Sequence, residues 1–490
     1  MLKQISIGFL LLFAGTQVAI AQDLAQAQTE VAPTQTTAKT ICSSQLPIYI
    51  DAIINRPLFR RARWGILVQP LSSNQTLYSH DAQKYFIPAS TTKLLTTAAA
   101  LQQLGSDFRI RTSVYSDGNG GLRVVGRGDP SLSDTQLAAL AKQLNEKGVK
   151  VVRRLYADDS YIRGAIVHPS WEWEDIQSDY GAPVNSFMLN QNVFSLKLLP
   201  QTAGRPVKVV WTDPDEARQW LTINQALTTA ENQPRFVNIT RDFKGRNLYI
   251  EGQLPVNSEP ASVDLPVLEP VDYFLRRFRR ALAAEDIRVV EPFGLALVTK
   301  SEQELAFVES PPLKELISQT NVNSNNLFAE SLLRALAIKK LPKSTTQSSA
   351  DAGLEVIKTT LTQLGVDSTG YSIVDGSGLS RKNLISPETL VQTLQVMTKS
   401  PVAEIYRASL PVAGKTGTLT NRFRNTPAEG IVQAKTGTMT GVVSLAGYIN
   451  VPKYSPVVFS IMVNQTEQPA SIVRKAMDEI VVTLSQMQRC

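Results

Sequence analysis

Apolar positions along this chain follow two different periods, and the period changes several times. At 43–57, SSQLPIYIDAIINRP places its apolar residues at helical spacing. RWGILVQPL (63–71) and QTLYSHDAQKYF (75–86) read as two antiparallel strands joined by a turn around Ser72-Ser73-Asn74. IPASTTKLLTTAAALQQLG (87–105) predicts an Ala/Leu-rich helix with Pro88 and Ser90 at its start and Gly105 at its end. From about residue 107 the texture turns strand-like, in FRIRTSVYS, GLRVVGRGDPSL and VVRRLYADDS, with one helix, DTQLAALAKQLNEKG, between them. Residues 193–264 are again strand-rich and broken by Pro and Gly, and VDYFLRRFRRALAAEDI resumes helix. Helices dominate from about 300: PPLKELISQT, LFAESLLRALAIKK, DAGLEVIKTTLTQLG and SPETLVQTLQVM. The end alternates once more, with GIVQAKTGTMT, VVSLAGYIN and PVVFSIMVNQ as successive strands and SIVRKAMDEIVVTLSQM as a closing helix. In that helix Ile472, Ala476, Ile480, Leu484 and Met487 form an apolar stripe, and the mixed face with Asp478 and Glu479 favours core packing over a membrane surface.

Length and charge narrow the function classes. The 490 residues suffice for two or three domains. A net charge of +7, from 50 basic and 43 acidic residues, is too diffuse to argue for nucleic acid. Only two Cys and two His are present, which argues against a Cys/His metal site; no metal or organic cofactor is expected. The opening MLKQISIGFLLLFAGTQVAIAQ has Lys3, an apolar run and the small-residue signal Ala19-Ile20-Ala21. Residues 1–21 therefore read as a signal peptide and 22–40 as a polar tether, which implies export and no transmembrane anchor after cleavage.

Three short motifs carry chemistry. Ser90-Thr91-Thr92-Lys93 sets a hydroxyl and an amine three residues apart on one helix face. Serine needs a base to become a nucleophile, and in a chain so poor in histidine a lysine with a lowered pKa is the available one. In NVNSNNLFAE (321–330), Ser324 and Asn326 occupy a break between helices, suited to proton relay and to holding a carbonyl. Alone, this turn reads as a helix cap. The third motif, Lys-Thr-Gly, offers a cation and a hydroxyl to a carboxylate, with glycine allowing close backbone approach. It occurs twice, at 415–417 and at 435–437. The residues after Gly437 continue as paired strands, whereas TLTNRFRNTPAEG after Gly417 reads as a loop, so Lys435 is the expected site residue and Lys415 an imitation.

The order Ser-x-x-Lys, Ser-x-Asn, Lys-Thr-Gly is that of serine β-lactamases and penicillin-binding proteins. With GRGDPSLS (126–133), YADDSYIRG (156–164), YGAPVNSFMLNQN (180–192) and DGSGLSRKN (375–383), the chain resembles the class C low-molecular-mass penicillin-binding proteins. These form the D-Ala-D-Ala carboxypeptidase/endopeptidase family, also called peptidase family S13. Ser324 follows Lys93 by 231 residues (324 − 93), a gap this family fills with two inserted domains.

The resemblance implies a transpeptidase-like α/β (α+β) fold, with helices on an antiparallel sheet. Residues 41–106 and 300–490 would form the catalytic domain, 107–192 and 265–299 inserted domain II, and 193–264 inserted domain III. It implies hydrolysis of peptidoglycan stem peptides ending in D-Ala-D-Ala, acylation by β-lactams, and a bacterial periplasmic or cell-wall location. Ser90 would be the nucleophile, Lys93 its base and Ser324 a proton relay. Asn326 would hold the substrate amide, and Lys435, Thr436 and Thr438 its carboxylate beside Gly437. Tyr161 and Met439 are candidates for lining a pocket for the stem-peptide side chain, against the plainer reading of both as packing residues. Cys42 and Cys490 bracket the mature chain; because the first and last helices of such folds lie side by side, a disulfide between them is expected. A β-lactamase and a catalytically silent wall-binding protein are the two rival classes.

Overall fold

The computed structural model describes residues 40–242, 245–291, 294–295, 303–338 and 347–490. The expected signal peptide and tether lie outside the described residues, apart from Thr40. Among the described residues no helix is long and apolar enough to cross a membrane.

One antiparallel sheet of five strands organises the site. Its order is Val432–Met439, Val442–Ile449, Val457–Asn464, Arg63–Pro70 and Tyr78–His80. Every residue of Val442–Ile449 and Val457–Asn464 is buried, because helices cover both faces of the sheet. Strand periodicity of two divides these side chains between two cores. Val443, Leu445, Phe459 and Ile461 point to the helices Leu46–Ile54 and Ala470–Ser485, meeting Ile50, Met477 and Ile480. Ala446, Tyr448, Val458 and Met462 point the other way, to Leu94, Leu95 and Ala98 of helix Lys93–Leu104 and to Leu390 and Leu394. Helix Lys93–Leu104 is buried on all sides from Lys93 to Leu101 and so runs through the core, and it ends at Gly105 with φ 82.

The chain ends meet. Ile41–Cys42 pairs in parallel with Met487–Gln488, and a disulfide joins Cys42 to Cys490, with 5.7 Å between their Cα atoms. The closing helix packs on the sheet, but its buried stripe is Val473, Ala476, Met477, Ile480, Val481 and Leu484. Ile472, expected in that stripe, is exposed, because the face turns by one residue at the first turn of the helix.

Two features organise the chain between helix Lys93–Leu104 and Ser324. Gln303–Glu309, expected with the catalytic segment, pairs antiparallel with Arg111–Ser116 at the edge of the inserted five-stranded sheet. Its buried Ala306 joins the apolar core of that sheet, so the chain re-enters the helical part only after Ser310. The segments 107–192 and 193–264 also contribute to one apolar cluster. Leu137, Phe187, Phe194, Ile250, Phe274 and Phe278 belong to a single cluster spanning both.

Candidate active site

The nucleophile turn is built from backbone strain and from glycines opposite it. Ala89 adopts φ 48, unusual for a residue with a Cβ, and opens the single 3-10 turn Ala89–Thr92 that precedes helix Lys93–Leu104. Thr91 and Thr92 donate their hydroxyls back to the Pro88 and Ala89 carbonyls at 2.7 and 3.0 Å, which stiffens the turn. Two backbones press against it. A Cβ on Gly378 would lie 1.9 Å from the Ala89 carbonyl oxygen, and one on Gly437 would lie 2.9 Å from the Ser90 nitrogen. The glycine of Lys435-Thr436-Gly437 is thus what lets its strand reach the nucleophile.

Lys93 is fully buried, and its Nζ donates to Ser90 Oγ at 3.0 Å, Asn326 Oδ1 at 2.6 Å and the Ser377 carbonyl at 2.7 Å. Burial lowers its pKa to about 7, against the partial opposition of the Asp375 and Glu330 carboxylates. Lys435, also fully buried, donates to Ser324 Oγ at 2.8 Å and to the Thr436 carbonyl at 2.9 Å. Burial first, and then the charge of Lys93, push its pKa well below the usual lysine value. Ser324 sits at φ 59, in the turn between helices Leu313–Val322 and Asn326–Ile338.

The structure brings Ser90, Ser324, Asn326, Thr438 and Met439 to one cavity of about 600 Å³. Lys93 and Lys435 reach it from below through the two serines. Asn326 is engaged at both ends of its amide, since Oδ1 accepts from Lys93 and Nδ2 donates to the Tyr180 carbonyl at 2.9 Å. It orients the lysine as well as facing the cavity. Tyr161 does not line this cavity: its ring lies 5.9 Å from the Arg127 guanidinium. It follows strand Leu155–Asp158 into a loop of the inserted region, where it is half-buried as a packing residue. Lys415 is exposed, with its Nζ beside Gly430.

Sequence reasoning assigned no role to several residues that build the site. Glu330 Oε1 accepts the Gly376 and Ser377 amides at 2.8 Å each, and Oε2 pairs with buried Arg334 at 2.7 Å. Asp375 accepts from the Gly378 and Ser380 amides and from Trp171 Nε1. Together these carboxylates hold the 375–380 loop so that the Ser377 carbonyl meets Lys93. Charged residues inside apolar or glycine-rich stretches, as in LFAESLLRA and DGSGLS, were the available signal. At the outer end of the cavity Arg381 pairs with Glu172 at 3.0 Å and donates to the Thr440 carbonyl at 2.9 Å, beside Asp175 and Tyr180. A second cavity of about 720 Å³ lies among residues that include Asp134, Gln191, Tyr273, Arg277 and Glu315, and no residue of the Ser-x-x-Lys, Ser-x-Asn or Lys-Thr-Gly motifs lines it. Among the described residues no group of three or more His, Cys, Asp or Glu is placed to hold a metal ion.

This arrangement, two buried lysines each bonded to a serine across one cavity, is built for acyl transfer. The D-Ala-D-Ala carboxypeptidase 3 (S13) family matches residues 46–486. The chain belongs to that family. The S13 enzyme is 34% identical over 460 residues to a D-alanyl-D-alanine carboxypeptidase of Actinomadura sp. (strain R39), covering 89% of this chain and 84% of that one. It is 31% identical over 457 residues to a penicillin-sensitive carboxypeptidase A of Dictyostelium discoideum, covering 86% and 87%. Its fold matches the crystal structure of penicillin binding protein 4 from Haemophilus influenzae with a TM-score of 0.77 and 25% identity, covering 91% of this chain and 98% of that one. The S13 enzyme is a serine-type D-Ala-D-Ala carboxypeptidase with the penicillin-binding-protein fold.

Proposed function

We propose that this enzyme is exported and trims peptidoglycan stem peptides through an acyl-enzyme on Ser90, and that β-lactams acylate the same hydroxyl. The observation that carries the reading is the 3.0 Å contact between Lys93 Nζ and Ser90 Oγ, with the lysine stripped of water. Neutral Lys93 takes the Ser90 proton as Oγ attacks the carbonyl between the two D-alanines. The oxyanion lies against the Ser90 and Thr438 backbone N–H groups, where one donor typically contributes about 100- to 1,000-fold in rate. When the C–N bond breaks, Ser324 passes a proton to the leaving amine and is resupplied from Lys435, 2.8 Å away. Water then attacks the ester carbonyl, its proton passing through Ser324 back to Lys435, and Lys93 returns its proton to Ser90 as the ester C–O bond breaks.

Lys435, Thr436 and Thr438 receive the terminal carboxylate. At about 4 Å and an effective dielectric near 20, the lysine attracts it by roughly 4 kcal/mol before desolvation. Met439 and the charged group of Glu172, Asp175 and Arg381 receive the side chain of the preceding stem residue, at the far end of the cavity from Ser90. The same chemistry cleaves a cross-link when the leaving amine belongs to a neighbouring stem, so endopeptidase activity accompanies the carboxypeptidase. The apolar run and cleavage signal before Gln22 support export to the periplasm or cell-wall space. Labelled penicillin, followed by peptide mapping, tests the reading. The label is expected on Ser90, and equal labelling of Ser90→Ala would refute it.

A further inference from the structure

The Lys-Thr-Gly at 415–417 plays no part in the chemistry above, yet its loop is folded onto the Lys435 strand. The Ala413 and Ala434 amides donate to the Val432 and Pro411 carbonyls, both at 3.0 Å, so this segment pairs with the first half of that strand and stops short of Lys435. The chain then turns at Gly414, φ 70, and the Gly414 amide donates to the Leu419 carbonyl at 3.0 Å. Gly417, φ 55, approaches the other side of the site: a Cβ there would lie 2.2 Å from the carbonyl oxygen of Val322, two residues before Ser324. The residue this places next is Thr418, whose Oγ1 lies 2.8 Å from Thr436 Oγ1. The imitation is in the lysine alone; its glycine and the threonine after it are held against the working motif.

We propose that Thr418 is a positioning residue for recognition of the substrate carboxylate, acting through Thr436. The inference rests on the proposed function, in which Thr436 contacts that carboxylate. A hydroxyl has one proton to give and two lone pairs to accept with, whereas a carboxylate only accepts. In the free protein Thr436 donates to Thr418. When a carboxylate arrives, Thr436 turns its proton to the substrate, and Thr418 turns its own proton to the oxygen of Thr436. The exchange needs only two hydroxyl rotations, and no proton leaves either residue. Thr418 thereby keeps Thr436 in one rotamer and frees its only proton for the substrate. Because Thr418 is exposed, water replaces part of its contribution when it is lost, so the effect is moderate.

The test compares wild type, Thr418→Val and Thr418→Ser on two activated thioesters of one acyl-D-alanine. One carries a carboxymethyl leaving group, which supplies the carboxylate, and the other an ethyl group, which lacks it. Thr418→Val is expected to lower kcat/KM on the carboxymethyl thioester about tenfold, mostly through KM, the upper end of what loss of one neutral hydrogen bond implies. On the ethyl thioester it is expected to stay within about twofold. Thr418→Ser restores the carboxylate preference, and unchanged melting temperatures show that all three fold alike. Equal losses on both substrates, or no loss on the carboxymethyl thioester, would overturn the proposal. A wild-type protein that cleaves neither thioester would overturn the proposed acyl-enzyme reading on which this inference rests, a result distinct from either.

Discussion

Lys93 Nζ lies 3.0 Å from Ser90 Oγ, one helical turn earlier, and the lysine has no surface open to water. An amine so buried gives up its proton far more readily than one in solvent, and its pKa falls to about 7. Only the neutral amine can take the serine proton. The second-order rate of penicillin acylation should therefore rise about tenfold per pH unit below 7 and level off above it. Stopped-flow measurement from pH 5 to 9 checks this, and a rate independent of pH across neutrality would exclude Lys93 as the base. Lys435 must stay charged to attract a carboxylate, so its lowered pKa should end that plateau with a fall on the alkaline side, for penicillin and for peptide substrates alike.

The two Lys-Thr-Gly motifs should separate cleanly. Lys435 is fully buried against Ser324, and Lys435→Ala removes both the proton source and the charge facing the carboxylate. We expect a loss of about 3 kcal/mol or more in transition-state stabilisation, near 100-fold in kcat/KM on a D-Ala-D-Ala peptide. Lys415 is exposed, and Lys415→Ala should remain within a few-fold of wild type. The reverse ranking would mean that the working motif is the one at 415.

Gly437→Ala tests the close approach of strand to nucleophile. The added methyl would lie 2.2 Å from Ser444 Oγ, 2.8 Å from the Pro88 carbonyl oxygen and 2.9 Å from the Ser90 nitrogen. Either the strand or the Ser90 turn must retreat. A displacement near 1 Å at reacting groups costs on the order of 100-fold, so acylation should slow by about that factor while the melting temperature moves little. Wild-type acylation by this variant would show that the turn has room to spare.

Removing the Cys42–Cys490 bond should act on stability and leave the chemistry alone. The bond closes a separation of 448 residues, for which chain entropy alone suggests roughly 6 kcal/mol. The pairing of Ile41–Cys42 with Met487–Gln488 and residual structure in the unfolded chain reduce this to about 2–4 kcal/mol. The double variant Cys42→Ser/Cys490→Ser should show that loss in urea unfolding, with kcat/KM unchanged at low temperature. An unchanged unfolding midpoint would mean that strand pairing alone holds the ends.

Burying Glu330 and Arg334 against each other, with the Gly376 and Ser377 amides on the same carboxylate, makes that pair the support of the general base. Glu330→Ala leaves a buried guanidinium uncompensated and should cost about 3–5 kcal/mol. Retention of full stability, measured by thermal unfolding, would show that water or Asp375 takes over.

Local order and composition determined the motifs and most of the elements that carry them. Ser-x-x-Lys on a helix, Ser-x-Asn at a helix break and Lys-Thr-Gly on a strand are short-range patterns, and their order along the chain identified the chemistry without any contact being known. Apolar, β-branched runs such as VVSLAGYI and VVFSIMVN marked the central strands, and Lys415 stood apart from Lys435 because the residues after each predict a loop or a strand. Tertiary structure decided what depends on residues far apart in the chain. Buried acids such as Glu330 and Asp375 look like ordinary charges until folding takes them out of water around Lys93. Tyr161 sits in a stretch typical of the family, yet the strand before it carries it to Arg127 and away from the cavity, where Arg381 and Glu172 stand instead. Gln303–Glu309 falls where helices are expected to dominate, and its pairing with Arg111–Ser116 emerges only in the folded chain. Periodicity specifies which face of an element is apolar, but the partner that covers that face is chosen by long-range packing, and so is every pKa that depends on it.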